Sequence, residues 1–253
     1  MTAWARRPPA DLIAAGLPII AALNGWAPRL LAENAPAVSL FAPVTLAIAL
    51  AMGRLEVRTG SAPIWALSAS VLVILVPSGA AAWVALASLG WLAVGPGATR
   101  WLLVGLASAE LFAAVGLNLA KAFLLPLEAH AASGLLWLAR VPAEVEGNAI
   151  LVADRLTVVA AGCSGAPGAL FAALGAIALL LWRRPRTGWR LCAAAAAAAA
   201  LVAVGANLAR LAVMAVDERL YDAAHGQWGA LATDLAASAG VAAAVLLAER
   251  KAL

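Results

Sequence analysis

Residues 164–214 read SGAPGALFAALGAIALLLWRRPRTGWRLCAAAAAAAALVAVGANLARLAVM. Two long apolar stretches, 164–182 and 190–214, are separated by a short cluster of basic residues, Arg183, Arg184, Arg186 and Arg190. Each stretch has about the 17–25 residues that a helix needs to cross the hydrocarbon core of a bilayer. The segment is therefore predicted to form a transmembrane helical hairpin with a positively charged turn.

The composition of the whole chain agrees with this prediction. Of its 253 residues, 65% are hydrophobic and only 12% are charged, whereas soluble domains carry about 25% charged residues. A soluble globule has to cover its surface with polar groups, so that class is excluded. The 21 Gly, 13 Pro and 2 Cys also exclude collagen-like, disordered and disulfide-rich proteins. The sequence predicts an all-α membrane protein.

Apolar stretches predict about eight transmembrane helices, at 11–31, 36–53, 63–77, 78–95, 99–121, 164–182, 190–214 and 229–248. The third and fourth are divided only by Pro77-Ser78-Gly79, which favours a tight turn; a single helix over 63–95 is the alternative. Arg6-Arg7 before an apolar stretch is also typical of a signal peptide. Because Leu30–Asn34 is a poor cleavage site, the first helix is expected to stay attached.

The distribution of basic residues predicts how these helices are oriented in the membrane. An even number of spans places both termini on one side of the membrane. The loops on that side hold most of the 17 basic residues, namely Arg6, Arg7, Arg54, Arg58, Arg100, Arg183, Arg184, Arg186, Arg190, Arg250 and Lys251. Cytoplasmic loops carry such an excess, so both termini are predicted to be cytoplasmic. The net charge of +4 is thus a topology signal, and no nucleic-acid partner is expected.

The longest break between predicted spans runs from about residue 122 to 163. Its first part, Leu127 to Arg140, is predicted to form an interfacial amphipathic helix that Pro142 ends. The β-rich runs 147–152 and 156–159 then predict a small extracytoplasmic β-hairpin. This element leads directly into Gly162-Cys163-Ser164-Gly165.

Three polar side chains are expected at the outer face. Cys163 precedes Trp182 by 19 residues, which is about 28 Å of helix and roughly one hydrocarbon thickness. Arg210 follows the inner cluster by a similar length, and His225 lies in the next outer loop. Asn207, one helical turn before Arg210, is expected to orient the guanidinium.

This trio has the chemistry of nucleophilic acyl transfer. A thiolate is favoured beside Arg, His⁺ or a helix N-terminus, an imidazole moves protons near neutral pH, and a guanidinium can stabilise an oxyanion. Thioester chemistry is one interpretation. The spacing alone leaves ordinary roles open: Cys163 as a packing residue, Arg210 snorkelling to headgroups, and His225 solvated.

Other polar residues give weaker candidates. Cys192 falls at the inner end of its helix, across the bilayer from Cys163, so neither a disulfide nor a shared metal site is expected. With two His and two separated Cys, no metal-ligand spacing exists, and no metal or cofactor is predicted. His130 is expected to be solvated. Glu110 is expected to make an interior polar contact, with a coupling role in transport as the alternative.

Three blocks of the sequence resemble the signatures of the exosortase/archaeosortase family of membrane cysteine transpeptidases. They are Thr157–Gly165 (TVVAAGCSG), Ala206–Leu211 (ANLARL) and His225-Gly226 before the last helix, and the resemblance covers roughly residues 100–248. It implies Cys163 as nucleophile, Arg210 as essential arginine and His225 as third catalytic residue, with Ser164, Gly165 and Asn207 in supporting roles. Archaeosortases usually carry Arg at the third place, so His favours the bacterial exosortase branch. The sequence departs from the common family pattern after Gly165, at Ala166-Pro167-Gly168.

The resemblance implies an enzyme of the bacterial inner membrane that cleaves exported proteins at a PEP-CTERM-like sorting signal. Such a signal has a short motif, often Pro-Glu-Pro, then a transmembrane helix and a basic tail. Cleavage would pass through a thioester on Cys163, with transfer to a cell-surface acceptor. The expected partners are these substrates and membrane lipid. We expect one polytopic domain, 1–253, with an N-terminal four-helix part, 1–98, and a catalytic core, 99–253.

Two further interpretations stay open at this point. A hydrolytic membrane protease would pass the acyl group to water without transfer to an acceptor. A non-catalytic component of exopolysaccharide export, or a small transporter, would use polar residues such as Glu110 and Arg210 along a path.

Overall fold

A computed structural model describes residues 9–31, 41–52, 79–92, 94 and 97–251, and these are mostly helical. Cα packing divides the chain into two compact units. The first comprises Met1–Ala114 with Leu181–Arg186, and the second Val115–Leu180 with Thr187–Leu253.

The first unit contains helices α1 (Pro9–Leu31), α2 (Phe41–Met52), α3 (Gly79–Leu92) and α4 (Ala98–Leu111). Helix α3 packs against α1 and α4, and α2 packs against α4. Glu110 is fully buried and accepts a hydrogen bond of 2.7 Å from Trp26 Nε1, which confirms the expected interior polar contact. The predicted span 63–77, and with it the question of one or two helices over 63–95, lies outside the described residues.

Helix α4 continues through a π-helical segment, Phe112–Gly116, into α5 (Leu117–Leu138), so that one helix of 41 residues runs from Ala98 to Leu138. The predicted break before the helix over Leu127–Arg140 is therefore wrong, because this helix continues the preceding span; its interfacial position stays a prediction. Pro126 lies inside the helix.

The end of α5 is set by backbone geometry before Pro142 is reached. Arg140 adopts a left-handed conformation with φ of 63°. Its N–H donates to Trp137 O at 2.9 Å, and the Val141 N–H donates to Leu136 O at 2.9 Å. These are the two bonds of a Schellman motif, which satisfies the last helical carbonyls. The expectation that Pro142 ends the helix is thus corrected, because the helix already ends at Leu138.

A three-stranded antiparallel sheet follows, formed by β1 (Glu144–Glu146), β2 (Ala149–Val152) and β3 (Arg155–Val158) in that order. Ile150 pairs with Val145 on one side and Thr157 on the other. The predicted hairpin of β2 and β3 is confirmed, and β1 is an additional edge strand. Gly147 and Ala153 turn the chain with φ of 59° and 51°.

The sheet packs against α5 and against the helix Trp189–Val216, which carries Arg210. The second unit also contains α6 (Ala166–Arg183) as far as Leu180, with α7 (Trp189–Val216), α8 (Glu218–His225) and α9 (Gln227–Lys251). Buried residues of the strands, of α5 and of the end of α7 form one apolar cluster that includes Cys163: Leu125, Ala129, Ala132, Leu136, Ala143, Ile150, Val152, Val159, Leu211, Ala212, Met214 and Ala215. The Trp137 indole N–H donates to Ala143 O at 2.9 Å and ties the sheet to α5.

Helices α7 and α9 pack closely through small residues. Ala195, Ala199 and Ala203 are buried at intervals of one turn along α7. A Cβ added to Gly240 of α9 would lie 2.5 Å from the Val202 side chain, so only glycine permits this approach. Small residues allow membrane helices to pack in this way.

Four described helices have the length and apolar composition needed to cross a membrane: Ala98–Leu138, Ala161–Arg183, Trp189–Val216 and Trp228–Arg250. Three shorter apolar segments are Gly16–Ala27, Phe41–Met52 and Gly79–Trp91. The chain is an integral membrane protein. The count of eight spans and their orientation stay predictions.

Candidate functional site

Cys163 lies in a short turn between the sheet and α6. It ends a 3₁₀ segment, Ala161–Cys163, in which its N–H donates to Ala160 O at 2.9 Å. Its side chain is a free thiol and is only 8% exposed. It packs with the cluster against which Leu208, Tyr221 and Ala224 also pack. Cys163 therefore belongs to the apolar cluster that also includes residues of α5 and α7.

Asn207 holds the backbone of this turn. Its side chain is buried, and its Nδ2 donates to the carbonyl oxygen of Cys163 at 2.9 Å. Gly165 packs directly on it, since an added Cβ would lie 3.0 Å from the same nitrogen. The expectation that Asn207 orients the guanidinium of Arg210 is corrected, because the amide binds the Cys163 carbonyl instead.

Arg210 lies one turn further along α7 and binds the end of α8. Its Nε donates to Ala224 O at 2.7 Å and its Nη2 to His225 O at 3.3 Å. A cation at the last carbonyls of a helix is favourable because it satisfies them and opposes the negative end of the helix dipole. These bonds use two of the five guanidinium N–H donors. Asp234 of α9 interacts electrostatically with the same guanidinium.

His225 is the last residue of α8 and is exposed. Its ring stacks on Tyr221, with centroids 5.1 Å apart and planes at 9°. The guanidinium of Arg155, from β3, lies over the Tyr221 ring at 5.4 Å from its centroid. Tyr221 is thus contacted by both Arg155 and the imidazole.

The structure places the three predicted site residues around common neighbours. Cys163 is tied to α7 through Asn207, and Arg210 on the same helix is tied to the backbone of His225. Within the described part of the chain, no hydrogen bond joins the thiol, the guanidinium and the imidazole directly.

Glu128 of α5 is a site residue that the sequence interpretation missed. Its Oε1 accepts hydrogen bonds from Ser164 Oγ at 2.7 Å and from the Gly165 N–H at 3.0 Å. Ser164 Oγ in turn accepts the Ala166 N–H at 3.3 Å. Both supporting residues next to Cys163 are therefore held by one carboxylate. Tyr221 was also missed, although it lies one turn before His225 on the same helical face and is the one tyrosine in the sequence.

The weaker candidates lie elsewhere. His130 is exposed, as expected, and its Nδ1 is 2.8 Å from Pro126 O. Cys192 is a partly buried free thiol in the first turn of α7. Among residues that the structure describes, no group of three His, Cys, Asp or Glu side chains could hold a metal ion.

Comparison with known protein families agrees with the motifs around this site. The chain matches the family model described as transmembrane exosortase (Exosortase_EpsH) over residues 4–247. No curated protein and no solved structure matches it. Because the family model spans nearly the whole sequence and includes both compact units, the chain belongs to the transmembrane exosortase family.

Proposed function

We propose that this protein is a membrane-embedded cysteine transpeptidase that cleaves the C-terminal sorting signal of exported proteins. Cys163 would be the nucleophile, Arg210 the oxyanion-binding residue and His225 the proton carrier. The observation that carries this proposal is the link through α7: Asn207 binds the backbone of Cys163, and Arg210, one turn later, binds the backbone of His225. One helix thereby positions all three residues.

The first half of the reaction forms a thioester. The Cys163 thiol gives its proton to the imidazole, and the sulfur attacks the carbonyl carbon of the scissile peptide bond. Negative charge then develops on the carbonyl oxygen. Arg210 has N–H donors beyond the two that bind α8, and these can stabilise the oxyanion. As the peptide bond breaks, the imidazolium returns a proton to the leaving amine.

The second half transfers the acyl group. An amine of a surface acceptor attacks the thioester carbonyl, loses a proton to His225, and releases the Cys163 thiolate, which is reprotonated. If water attacked instead, the product would be a free carboxylate and the enzyme a protease. The identity of the new C-terminus therefore distinguishes transfer from hydrolysis.

The environment of Cys163 supports this chemistry in one further way. An apolar site strengthens each electrostatic interaction with a developing charge, and the thiol is only 8% exposed. We propose that the substrate reaches Cys163 at the outer face of the bacterial inner membrane, with its basic tail in the cytoplasm.

The proposal is tested by co-expression with a reporter that ends in a Pro-Glu-Pro motif, a transmembrane helix and a basic tail. The wild-type protein should shorten the reporter at the motif, and Cys163→Ala should abolish shortening. Cys192→Ala is the matched control, because it removes the other free thiol, and it should process normally. Unchanged processing by Cys163→Ala would remove this residue from the mechanism.

A further inference from the structure

Glu128 connects α5 to the two residues that follow the nucleophile. Its Oε1 receives the hydroxyl proton of Ser164 and the N–H of Gly165. The Ser164 hydroxyl uses its one proton in the first bond, and its oxygen accepts the Ala166 N–H. Both bonds to Oε1 therefore come from donors, and the carboxylate acts there only as an acceptor.

The second oxygen of Glu128 has a different environment. Oε2 is buried and has no hydrogen-bond partner among the described residues. A buried acceptor left without a donor costs about 1–3 kcal/mol, and more for a charged group. Such an atom is satisfied by a donor from outside the folded chain, either a water molecule or a bound ligand.

The backbone N–H groups of the neighbouring turn already have other acceptors. The Cys163 N–H donates to Ala160 O and the Ser164 N–H donates to Ala161 O. The next two donors, on Gly165 and Ala166, bind Oε1 and Ser164 Oγ. Pro167 has no N–H. The donors from Cys163 to Ala166 thus already have acceptors, and the Ala166 N–H also interacts with the Glu128 carboxylate.

These hydrogen bonds also affect where the site can bind the oxyanion of a substrate. Helix N-termini are ready-made anion sites, and α6 begins directly after Gly165. Here the carboxylate of Glu128 already accepts the Gly165 N–H. A substrate oxyanion placed at this helix end would compete with Glu128 for the Gly165 N–H, whereas Arg210 offers a cation.

We propose that Glu128 is a substrate-binding residue whose Oε2 accepts a backbone N–H of the peptide bound at Cys163, while Oε1 holds the Ser164–Gly165 turn. An extended peptide that leaves water needs acceptors for its N–H groups, and a charged acceptor forms the stronger bond. This inference rests on the proposed function, because it requires a peptide substrate at Cys163.

Glu128→Gln separates the roles of the two oxygens. In this variant the amide oxygen must face Ser164 and Gly165, because both are donors, so the amide NH₂ replaces Oε2. The turn keeps its two bonds, and the peptide N–H meets a donor. We expect KM for the purified reporter to rise about tenfold or more, as for loss of a charged hydrogen bond, with kcat within about threefold. Glu146→Gln, at an exposed position of β1, should change neither constant.

The integrity of the turn is measured separately. In a Cys192→Ala background, N-ethylmaleimide should alkylate Cys163 at the same rate with and without the Glu128→Gln substitution. Ser164→Ala removes a bond to Oε1 and should instead change the alkylation rate. An unaltered KM in Glu128→Gln, together with active wild-type enzyme, overturns the inference and leaves the proposed function standing. An inactive wild-type enzyme overturns the proposed function itself.

A second measurement begins from the wild-type enzyme and varies the substrate. Synthetic peptides spanning the cleavage site carry a backbone ester in place of one amide at a time, which removes one N–H. One ester should raise KM of the wild-type enzyme about as much as Glu128→Gln does, and it should have no further effect in that variant. If no ester raises KM, or if the two losses add at every position, Oε2 does not bind a substrate N–H.

Discussion

The side-chain amide of Asn207 donates a hydrogen bond of 2.9 Å to the backbone carbonyl of Cys163, across 44 residues of sequence. This bond joins the turn that contains Cys163 to α7. A single turn of α7, from Asn207 to Arg210, therefore holds the backbone of Cys163 and, through the Arg210 guanidinium, the end of α8.

Replacement of Asn207 should test this bond. Asn207→Asp keeps the size but presents an acceptor to the Cys163 carbonyl, so the turn should be displaced. We expect reporter processing to fall about tenfold or more, consistent with about 1–3 kcal/mol for a buried unmade bond. The quantity to compare is the initial rate of reporter cleavage at equal protein levels. Equal rates for wild type and Asn207→Asp would show that this bond does not position Cys163.

The glycine pair that flanks Cys163 and Ser164 offers a matched comparison. Gly165→Ala places a Cβ 3.0 Å from the Asn207 amide nitrogen, whereas a Cβ on Gly162 meets nothing within 4 Å. Gly165→Ala should slow cleavage strongly, and Gly162→Ala should leave it within about twofold, as for most exposed substitutions. If the two variants behave alike, the contact between Gly165 and Asn207 is unimportant.

Arg210→Lys should abolish most activity although it retains the charge. Nε and Nη2 bind two successive carbonyls, on Ala224 and His225, and a lysine ammonium lacks this planar fork. We expect the cleavage rate to fall about 100-fold or more, as for loss of an oxyanion donor. Arg219→Lys, an exposed position on α8, is the control and should retain activity. Wild-type cleavage by Arg210→Lys would exclude a role for the fork.

We expect the aromatic ring of Tyr221, and not its hydroxyl group, to affect the cleavage rate. The ring stacks on His225 at 5.1 Å, and stacked pairs contribute about 0.5–1.5 kcal/mol beyond burial. Tyr221→Phe should keep the cleavage rate. Tyr221→Leu should lower the rate several-fold, because the imidazole loses its stacking partner. Equal cleavage rates for both variants would contradict a role of Tyr221 in positioning His225.

Local pattern predicted most described helices within a few residues, because apolar length and breaker residues are properties of neighbouring positions. The same pattern failed at α5. The break predicted from about residue 122 is absent, because Leu125, Ala129, Ala132 and Leu136 keep a helical spacing and are buried. Strand β1 was missed because Glu144-Val145-Glu146 is short and bears two charges, as edge strands often do.

The site could be predicted only in part for a related reason. Cys163, Arg210 and His225 stood out because polar groups are rare in so apolar a chain. Glu128 contacts Ser164, which is 36 residues away in the sequence. Arg155 lies over the Tyr221 ring only because strand pairing brings β3 to it. Such contacts arise from tertiary packing and have no local signature.

The central claim is that Cys163 carries the substrate as a thioester, and hydroxylamine tests it most directly. Hydroxylamine attacks thioesters readily, so adding it to purified enzyme and reporter should yield a fragment with a C-terminal hydroxamate, identified by mass spectrometry. Wild-type and Cys192→Ala proteins should form this product, and Cys163→Ala should form none. Cleavage that yields no hydroxamate with the wild-type enzyme, or hydroxamate formed equally by Cys163→Ala, would contradict the account.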